Sequence, residues 1–250
     1  MNQTMELNSY SVKLEEIANQ KFAGNKSKII EILNRKNITN ILHFTHITNL
    51  ISILSEGLKS IYDLKKEGIP HHVTDMQRLD EIYQGVCCSM ASPNVWMLNN
   101  KTGLEIKNYA ILEISENTLL LQHFAAFPGN AARNDLKKDA EQSPEKYVGS
   151  IGLSRMFLNE SLRTEKAVLK YVPTDLQSEL IFFNKINADR IRKIHFPGPK
   201  IESFMDIYNK IHKDYSHLDI EFECKHNYFY KKDLNQKFDG RRFSLSWDDI

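Results

Sequence analysis

The chain is poor in the residues that stabilise cross-linked or membrane-embedded proteins. Its 250 residues include 3 cysteines, at positions 87, 88 and 224, which are too few for a disulfide framework and wrongly spaced for a zinc site. No stretch approaches the roughly 20 apolar residues of a membrane span, and the polar start lacks the charged-then-apolar order of a secretory signal. These absences predict a soluble protein of the reducing cytoplasm.

An excess of charge of either sign is also missing. The 33 Lys and Arg residues nearly balance the 32 Asp and Glu residues, so any basic binding surface must be local. Apolar residues make up 41% of the chain, enough to bury a sizeable core. The simplest expectation is one core over 41–200, with a helical N-terminal extension over 1–40 and a helix and strand extension over 201–250.

Apolar spacing gives the expected order of helices and strands. Residues 14–33 predict two amphipathic helices broken near Gly24. A buried strand over 41–45 leads to a helix over 49–56, with Thr48 as its N-cap and Gly57 as its stop. Because strands and helices do not alternate regularly, an α+β fold is favoured. Further strands are predicted over 108–115, 179–183, 191–196 and 220–224, and a final helix over 201–211.

Two polar regions lie between these elements. Residues 62–85 predict a surface loop with short helical pieces, and in this loop His71 and His72 are adjacent. A metal site there is not favoured, because consecutive side chains rarely point at one ion. Residues 128–165 predict a long excursion with helical parts, and ordered excursions of this kind are often functional.

Three short segments carry polar groups that suit ligand binding. In the first, His43 and Thr45 project to one side of a strand end that is followed by a helix N-terminus, which makes a pocket for an amide or a phosphate. In the second, Gly129 lets the backbone approach a ligand beside the amide of Asn130. Histidines at a strand edge and a plain turn are the alternative interpretations.

The third segment is Gln177-Ser178-Glu179, at the start of an apolar run. Residues 177 and 179 lie two apart, so their side chains project to the same face of a strand. Alone, the segment also fits an ordinary polar strand start.

In this order the segments resemble the DarT family of DNA ADP-ribosyltransferase toxins. The resemblance runs from about Ile41 to Phe196. It rests on LHFTHITNLISILSEGL at 42–58, PNVWML at 93–98, GNAA at 129–132 and LQSEL at 176–180.

The resemblance implies a mixed β core of two packed small sheets flanked by helices, and an enzyme that transfers ADP-ribose from NAD to a nucleobase without a metal. Departure of nicotinamide leaves an oxocarbenium-like ribose, and a carboxylate beside it stabilises the developing charge. Glu179 stands at the position of the family's catalytic glutamate, which also takes a proton from the attacking base atom.

The same resemblance assigns further residues. Gln177 stands where related transferases sort nucleotide targets from protein side chains, and His43 would face the adenosine ribose. The other cofactor contacts implied are Thr45, Asn49, Ser52, Gly57, Asn94, Met97 and Asn130. The implied substrate-binding residues are Gly129, Arg133, Arg155 and Arg163.

One departure from the family concerns an arginine. DarT proteins that act on thymidine commonly carry it in the segment corresponding to 92–97, which reads SPNVWM here. Asn94, Ser89 and the arginines at 133, 155 and 163 are the candidate replacements. The departure leaves the target base open, so single-stranded DNA and RNA are both candidate substrates.

Beyond residue 220 aromatic residues alternate with cations, as in KHNYFYKK at 225–232 and RRF at 241–243. This pattern is typical of sequence-tolerant single-strand binding, and a solvated edge strand with a core-facing aromatic stripe is the alternative.

The leading hypothesis is therefore a toxin or phage-defence enzyme restrained by a partner antitoxin. A second hypothesis keeps the NAD pocket but makes a protein side chain the acceptor. A third is a non-catalytic module that binds nucleic acid or NAD, against which the retained QSE motif at 177–179 argues.

Overall fold

A computed structural model describes residues 7–75, 77–165, 167–198, 204–225, 228 and 229. Within these ranges seven strands form one sheet around which the helices pack. The strands are β1 (Asn40–His46), β2 (Val86–Met90), β3 (Tyr109–Ser115), β4 (Phe124–Phe127), β5 (Glu179–Phe182), β6 (Ile191–Phe196) and β7 (Glu221–Cys224). The helices are α1 (Ser9–Lys36), α2 (Leu50–Glu56), α3 (Ile61–Lys66), α4 (Val95–Thr102), α5 (Thr118–Leu121), α6 (Asn134–Gln142), α7 (Gly149–Arg155), α8 (Glu160–Glu165) and α9 (Met205–Tyr215).

The sheet runs in the order β4-β5-β2-β1-β3-β6-β7. Neighbouring strands are antiparallel except β6 and β7, which are parallel. The α+β class is confirmed, but the two expected small sheets are the halves β4-β5-β2 and β1-β3-β6-β7 of a single sheet. They join where β1 pairs with β2 through Ile41 with Met90 and Leu42 with Ser89.

Apolar side chains cover both faces of the β4-β5-β2 half. On β5, Leu180 and Phe182 belong to the main core, whereas Ile181 packs into a second cluster with Leu14 of α1. Alternation along a strand puts Glu179 on the same face as Ile181. The first residue of β5 is therefore a carboxylate held at the edge of an apolar layer.

The N-terminal segment is one helix, so the predicted break near Gly24 is wrong. Asn8 caps α1 by accepting from the backbone N–H of Ser11, and Asn37 ends it at φ 60°. A glycine inside a helix costs about 1 kcal/mol, and packing of α1 against α7 and β4 on either side offsets that cost. The division of the chain at residues 40 and 200 stays a prediction.

The other sequence-based elements agree with the structure to within a few residues. The strands predicted over 41–45, 108–115, 179–183, 191–196 and 220–224 are confirmed as β1, β3, β5, β6 and β7. The final helix is confirmed as α9 from Met205, and residues 201–203 of that prediction lie outside the described residues. The N-cap role of Thr48 is wrong, because a 3-10 turn spans Ile47–Asn49 and α2 begins at Leu50. Gly57 does end α2, at a positive φ of 88°.

None of the helices in the described ranges combines the length and the apolar content needed to cross a membrane.

Candidate active site

A cavity of about 430 Å³ opens at the ends of β1, β2 and β5. It gathers side chains from segments that are far apart in the sequence. All ten residues assigned above to catalysis or to the cofactor line it: His43, Thr45, Asn49, Ser52, Gly57, Asn94, Met97, Asn130, Gln177 and Glu179.

Glu179 is a buried acid of this cavity, with 6% of its surface exposed, and Asp80 is equally buried there. Its Oε2 accepts a 2.9 Å hydrogen bond from the backbone N–H of Ala131. Burial raises the pKa of Glu179 to about 8, and the negative charge of Asp80 adds to that effect, while the Ala131 N–H and Arg78 oppose it. Near neutral pH the side chain is therefore poised between its acid and carboxylate forms.

His43 lies on β1, and its ring is fixed by a backbone carbonyl of β2. Nδ1 is 2.7 Å from the carbonyl oxygen of Cys87. A carbonyl only accepts, so Nδ1 carries the proton. Because burial lowers the pKa of His43, the ring is neutral and its Nε2 is a hydrogen-bond acceptor.

Asn49 ties the end of β1 to the segment at 71–75 that borders the cavity. Its Nδ2 donates to Thr45 Oγ1 at 3.1 Å and to the carbonyl of His72 at 3.0 Å, and its Oδ1 accepts from the His72 N–H at 2.8 Å. The His72 ring stacks on His46 with centroids 4.1 Å apart. The side-chain nitrogen and oxygen of Asn49 therefore both hold the 71–75 segment against the end of β1.

Asn94 caps α4 and faces the cavity. Its Oδ1 accepts from the Met97 N–H at 3.0 Å, and its own N–H donates to Ser89 Oγ at 3.2 Å. Its Nδ2 is buried, with no hydrogen-bond partner among the residues that the structure describes. An unpaired buried donor costs about 1–3 kcal/mol, and this donor borders the cavity that a polar ligand would fill.

Arg78 is a cavity residue that the sequence interpretation missed. Its Nε and Nη2 donate to the two carboxylate oxygens of Asp80, each at 3.0 Å, and its Nη1 donates to the carbonyl of Gly85 at 3.3 Å. Its charge lowers the pKa of Glu179. The cavity thus holds an arginine, although it comes from the 62–85 region and not from 92–97.

Arg78 lies in the 62–85 region, whose polar composition predicts a surface loop and does not indicate a side chain in a pocket. The available signal was the Arg-x-Asp spacing at 78–80 followed by Gly85 just before an apolar strand. Such a spacing permits a bidentate pair that closes a tight loop.

The four residues assigned to the substrate are not among the cavity-lining residues. Arg163 is buried and donates to the backbone carbonyls of Val172, Leu169 and Lys170, so its guanidinium clamps the following loop. Arg155 lies 3.5 Å from Asp139 and stacks over the ring of Tyr147.

The other two, Gly129 and Arg133, lie in the turn behind Glu179. Arg133 pairs with Asp135 at 2.7 Å and lies 3.7 Å from Asp175. In the same turn Asn130 Oδ1 accepts from the N–H of Ala132 at 2.8 Å.

The adjacent histidines face different partners. His71 Nδ1 lies 2.7 Å from the carbonyl of Ile69, whereas His72 stacks on His46. Within the described ranges, no group of three or more His, Cys, Asp and Glu side chains is arranged to hold a metal ion.

Most of the aromatic and basic tail beyond residue 225 lies outside the described residues. Of its aromatic residues, Tyr228 and Phe229 are described, and both are buried against Tyr109 and its neighbours. At these two positions the core-facing alternative applies. The exposed apolar side chains on the rim of the cavity are Leu79, 62% exposed, and Trp96, 41% exposed.

No family model matches this chain, and no curated protein matches it. Solved structures do. A Thermus sp. 2.9 DarT in complex with ADP-ribosylated ssDNA superposes with a TM-score of 0.53 at 14% identity, over 78% of this chain and 97% of that one. Thermosipho africanus DarTG in complex with ADP-ribose superposes with a TM-score of 0.50 at 14% identity, over 76% of this chain. The alignment spans about half, 51%, of that longer chain. The chain therefore has the DarT fold.

Proposed function

We propose that this protein is an NAD-dependent mono-ADP-ribosyltransferase that modifies a base in single-stranded DNA. The observation that carries the proposal is the position of Glu179, buried in the same cavity as His43 and Thr45. The fold shared with a DarT bound to ADP-ribosylated ssDNA supports it.

The geometry suits cleavage of the nicotinamide glycosidic bond. In its carboxylate form Glu179 stabilises the positive charge that develops on the ribose as nicotinamide departs. His43 Nε2 accepts a hydrogen bond from a ribose hydroxyl, and the buried Nδ2 of Asn94 donates to a polar group of the dinucleotide. The positive charge of Arg78 favours the carboxylate form of Glu179.

The acceptor base approaches from the rim. Trp96 is 41% exposed there, and stacking on an aromatic ring is worth about 1–3 kcal/mol per base. Gln177, two residues before the glutamate, lines the same cavity and orients the acceptor. Glu179 then takes the proton that the attacking base atom loses.

The test is to incubate the protein with NAD labelled in the adenine and with separate pools of single-stranded DNA, RNA and protein. Label is expected in DNA, together with one equivalent of free nicotinamide, and Glu179→Gln should abolish both. Label in the RNA or the protein pool would show that the acceptor is RNA or protein and not DNA. Nicotinamide release that survives Glu179→Gln would overturn the proposal.

Expression in cells tests the biological role, a toxin or defence effector that an antitoxin partner restrains. The wild-type chain is expected to stop growth, and Glu179→Gln to permit it. Equal toxicity of the two chains would contradict a role based on this reaction.

A further inference from the structure

Behind Glu179 lies a pair of charged residues that do not line the cavity. Asp175 is 7% exposed, and its Oδ2 lies 3.7 Å from Arg133 Nη1, an ion-pair distance. Its Oδ1 accepts from the N–H of Gln177 at 2.8 Å, and its carbonyl accepts from the N–H of Ser178 at 3.0 Å. Asp175 thus fixes the two residues that lead directly into Glu179.

Arg133 fixes the turn that lies on the other side of the Glu179 carboxylate. Its N–H donates to the carbonyl of Asn130 at 3.0 Å, which closes the turn that contains Ala131. The Ala131 N–H is the donor to Glu179 Oε2. One ion pair therefore joins the loop that carries the acid to the turn that carries its hydrogen-bond donor.

Gly129 explains why the pair fits at this place. A β-carbon at this position would lie 3.0 Å from Asp175 Oδ2 and 3.1 Å from Arg133 Nη1, closer than such contacts normally come. Its φ is not in the positive range. A β-carbon here would therefore require the ends of Asp175 and Arg133 to shift by a few tenths of an ångström, whereas the backbone conformation does not call for glycine.

We infer that Arg133 and Asp175, packed on Gly129, are positioning residues that hold the Ala131 N–H against the Glu179 carboxylate. The inference rests on the proposed role of Glu179. It also gives Arg133 a task different from contact with the substrate. A donor held in place favours the carboxylate over the acid, so the pair increases the reactive fraction of Glu179 at neutral pH.

Asp175→Asn separates this mechanism from a direct charge effect. Removing a negative charge near Glu179 would by itself lower the pKa of Glu179, whereas loss of the Ala131 hydrogen bond raises it. Carbon-13 NMR of the carboxyl group of Glu179 follows its titration without depending on activity. We expect the midpoint in Asp175→Asn to move up by about one pH unit, with about tenfold slower nicotinamide release at pH 7.

Gly129→Ala is the second variant, because it pushes the pair apart and leaves every charge in place. The same upward movement of the Glu179 titration is expected. Asp135→Asn removes an exposed partner of Arg133 and is the matched control, and Gly24→Ala controls for adding a methyl group at a glycine with no neighbouring atom within 4 Å outside its own helix backbone. Both controls should keep the wild-type midpoint, and thermal unfolding checks that each variant is folded.

A midpoint that falls or stays unchanged in Asp175→Asn and Gly129→Ala would overturn the inference. So would an Arg133→Gln variant that raises KM for the nucleic acid and leaves the Glu179 titration unmoved, since Arg133 would then be a substrate contact. The NMR readout remains valid if the wild-type protein releases no nicotinamide. That result would instead reject the proposed function.

Discussion

Glu113 on β3 and Glu179 on β5 are acidic residues of the same sheet, and they differ in the charges that face them. Glu113 lies 3.0 Å from His195 Nε2, and this hydrogen bond, with the nearby charges of Lys193 and Arg192, holds the pKa of Glu113 below its usual value. Glu179 is buried in the cavity, and burial raises its pKa to about 8. The hydrogen bond and the positive charges near Glu113 favour its carboxylate form, whereas burial outweighs the Ala131 N–H and Arg78 at Glu179 and favours its acid form.

The difference separates an acid that stabilises the fold from the acid that we propose to be catalytic. An acid whose pKa is lowered on folding stabilises the protein above its ordinary pKa and loses that contribution as pH falls. An acid whose pKa is raised does the reverse, so stability declines as pH rises from the ordinary value of 4.5 towards 8. Glu179 therefore lowers stability at the pH at which its proposed reactive form is populated, a trade-off common at active sites.

The largest expected effect on activity comes from Arg78, the arginine beside Glu179 in the cavity. Arg78→Gln removes the charge that favours the Glu179 carboxylate, and nicotinamide release at pH 7 should fall by about 10- to 100-fold. Arg192→Gln, which removes an arginine near Glu113, is the control and should keep full activity. Arg78→Lys tests whether charge alone suffices, because it keeps the charge and loses the bidentate contact with Asp80. Equal rates for Arg78→Gln and the wild type would break the comparison.

The next largest effect is expected on the pH dependence of nicotinamide release. If the carboxylate of Glu179 is the reactive form, nicotinamide release should rise about tenfold between pH 7 and pH 9, with its midpoint near pH 8. Glu113→Gln should leave this profile unmoved. A rate that is flat over the same range would show that the ionisation of Glu179 does not control the reaction.

A smaller effect is expected on thermal stability, with opposite signs at the two sites. At pH 8, Glu179→Gln should raise the Tm by about 2–4 °C, because an amide avoids the cost of a buried charge. Glu113→Gln should lower the Tm at the same pH, since it replaces the charged acceptor of His195 by a neutral amide and so weakens that hydrogen bond. Calorimetry of both variants checks the signs, and changes of the same sign would remove the distinction between the sites.

The smallest effect is expected on the free energy of unfolding, from a substitution at Gly24, far from both acids in the sequence. Gly24 lies inside α1 with no atom within 4 Å of an added β-carbon. Gly24→Ala should stabilise the protein by about 0.5–1 kcal/mol at every pH, by helix propensity alone. Urea unfolding at two pH values measures this gain, and a loss of stability would contradict the continuous helix.

Alternating apolar residues are enough to predict β1, β3, β5, β6 and β7. Neither β2 nor β4 is predicted, because each is a short run buried on both faces and lacks the alternation of a half-exposed strand. The false break at Gly24 arises because sequence shows the cost of a glycine, whereas the packing of α1 on α7 and β4 that offsets it is tertiary.

Within the site, Glu179, His43 and Thr45 are identified from local motifs in a fixed order, and the structure brings them into one cavity. Arg78 is not identified, since its partners Asp80 and Gly85 give the segment the composition of a solvated loop. Arg163 is assigned to the substrate from sequence, because a basic residue in a polar excursion suggests substrate contact. In the structure it is buried and donates to the backbone carbonyls of Val172 and Leu169. Composition indicates where charge lies but not which atoms neutralise it.

The joint between β1 and β2 has a mechanical consequence for the reaction. It consists of two residue pairs, and His43 and Glu179 lie in the half-sheets on either side of it. The hydrogen bond between His43 Nδ1 and the carbonyl of Cys87 crosses the same joint, so it connects the imidazole to the strand that pairs with β5. We expect a substitution at the buried Met90, which pairs with Ile41 in the joint and is not among the residues that line the cavity, to lower the rate of nicotinamide release by disturbing this connection.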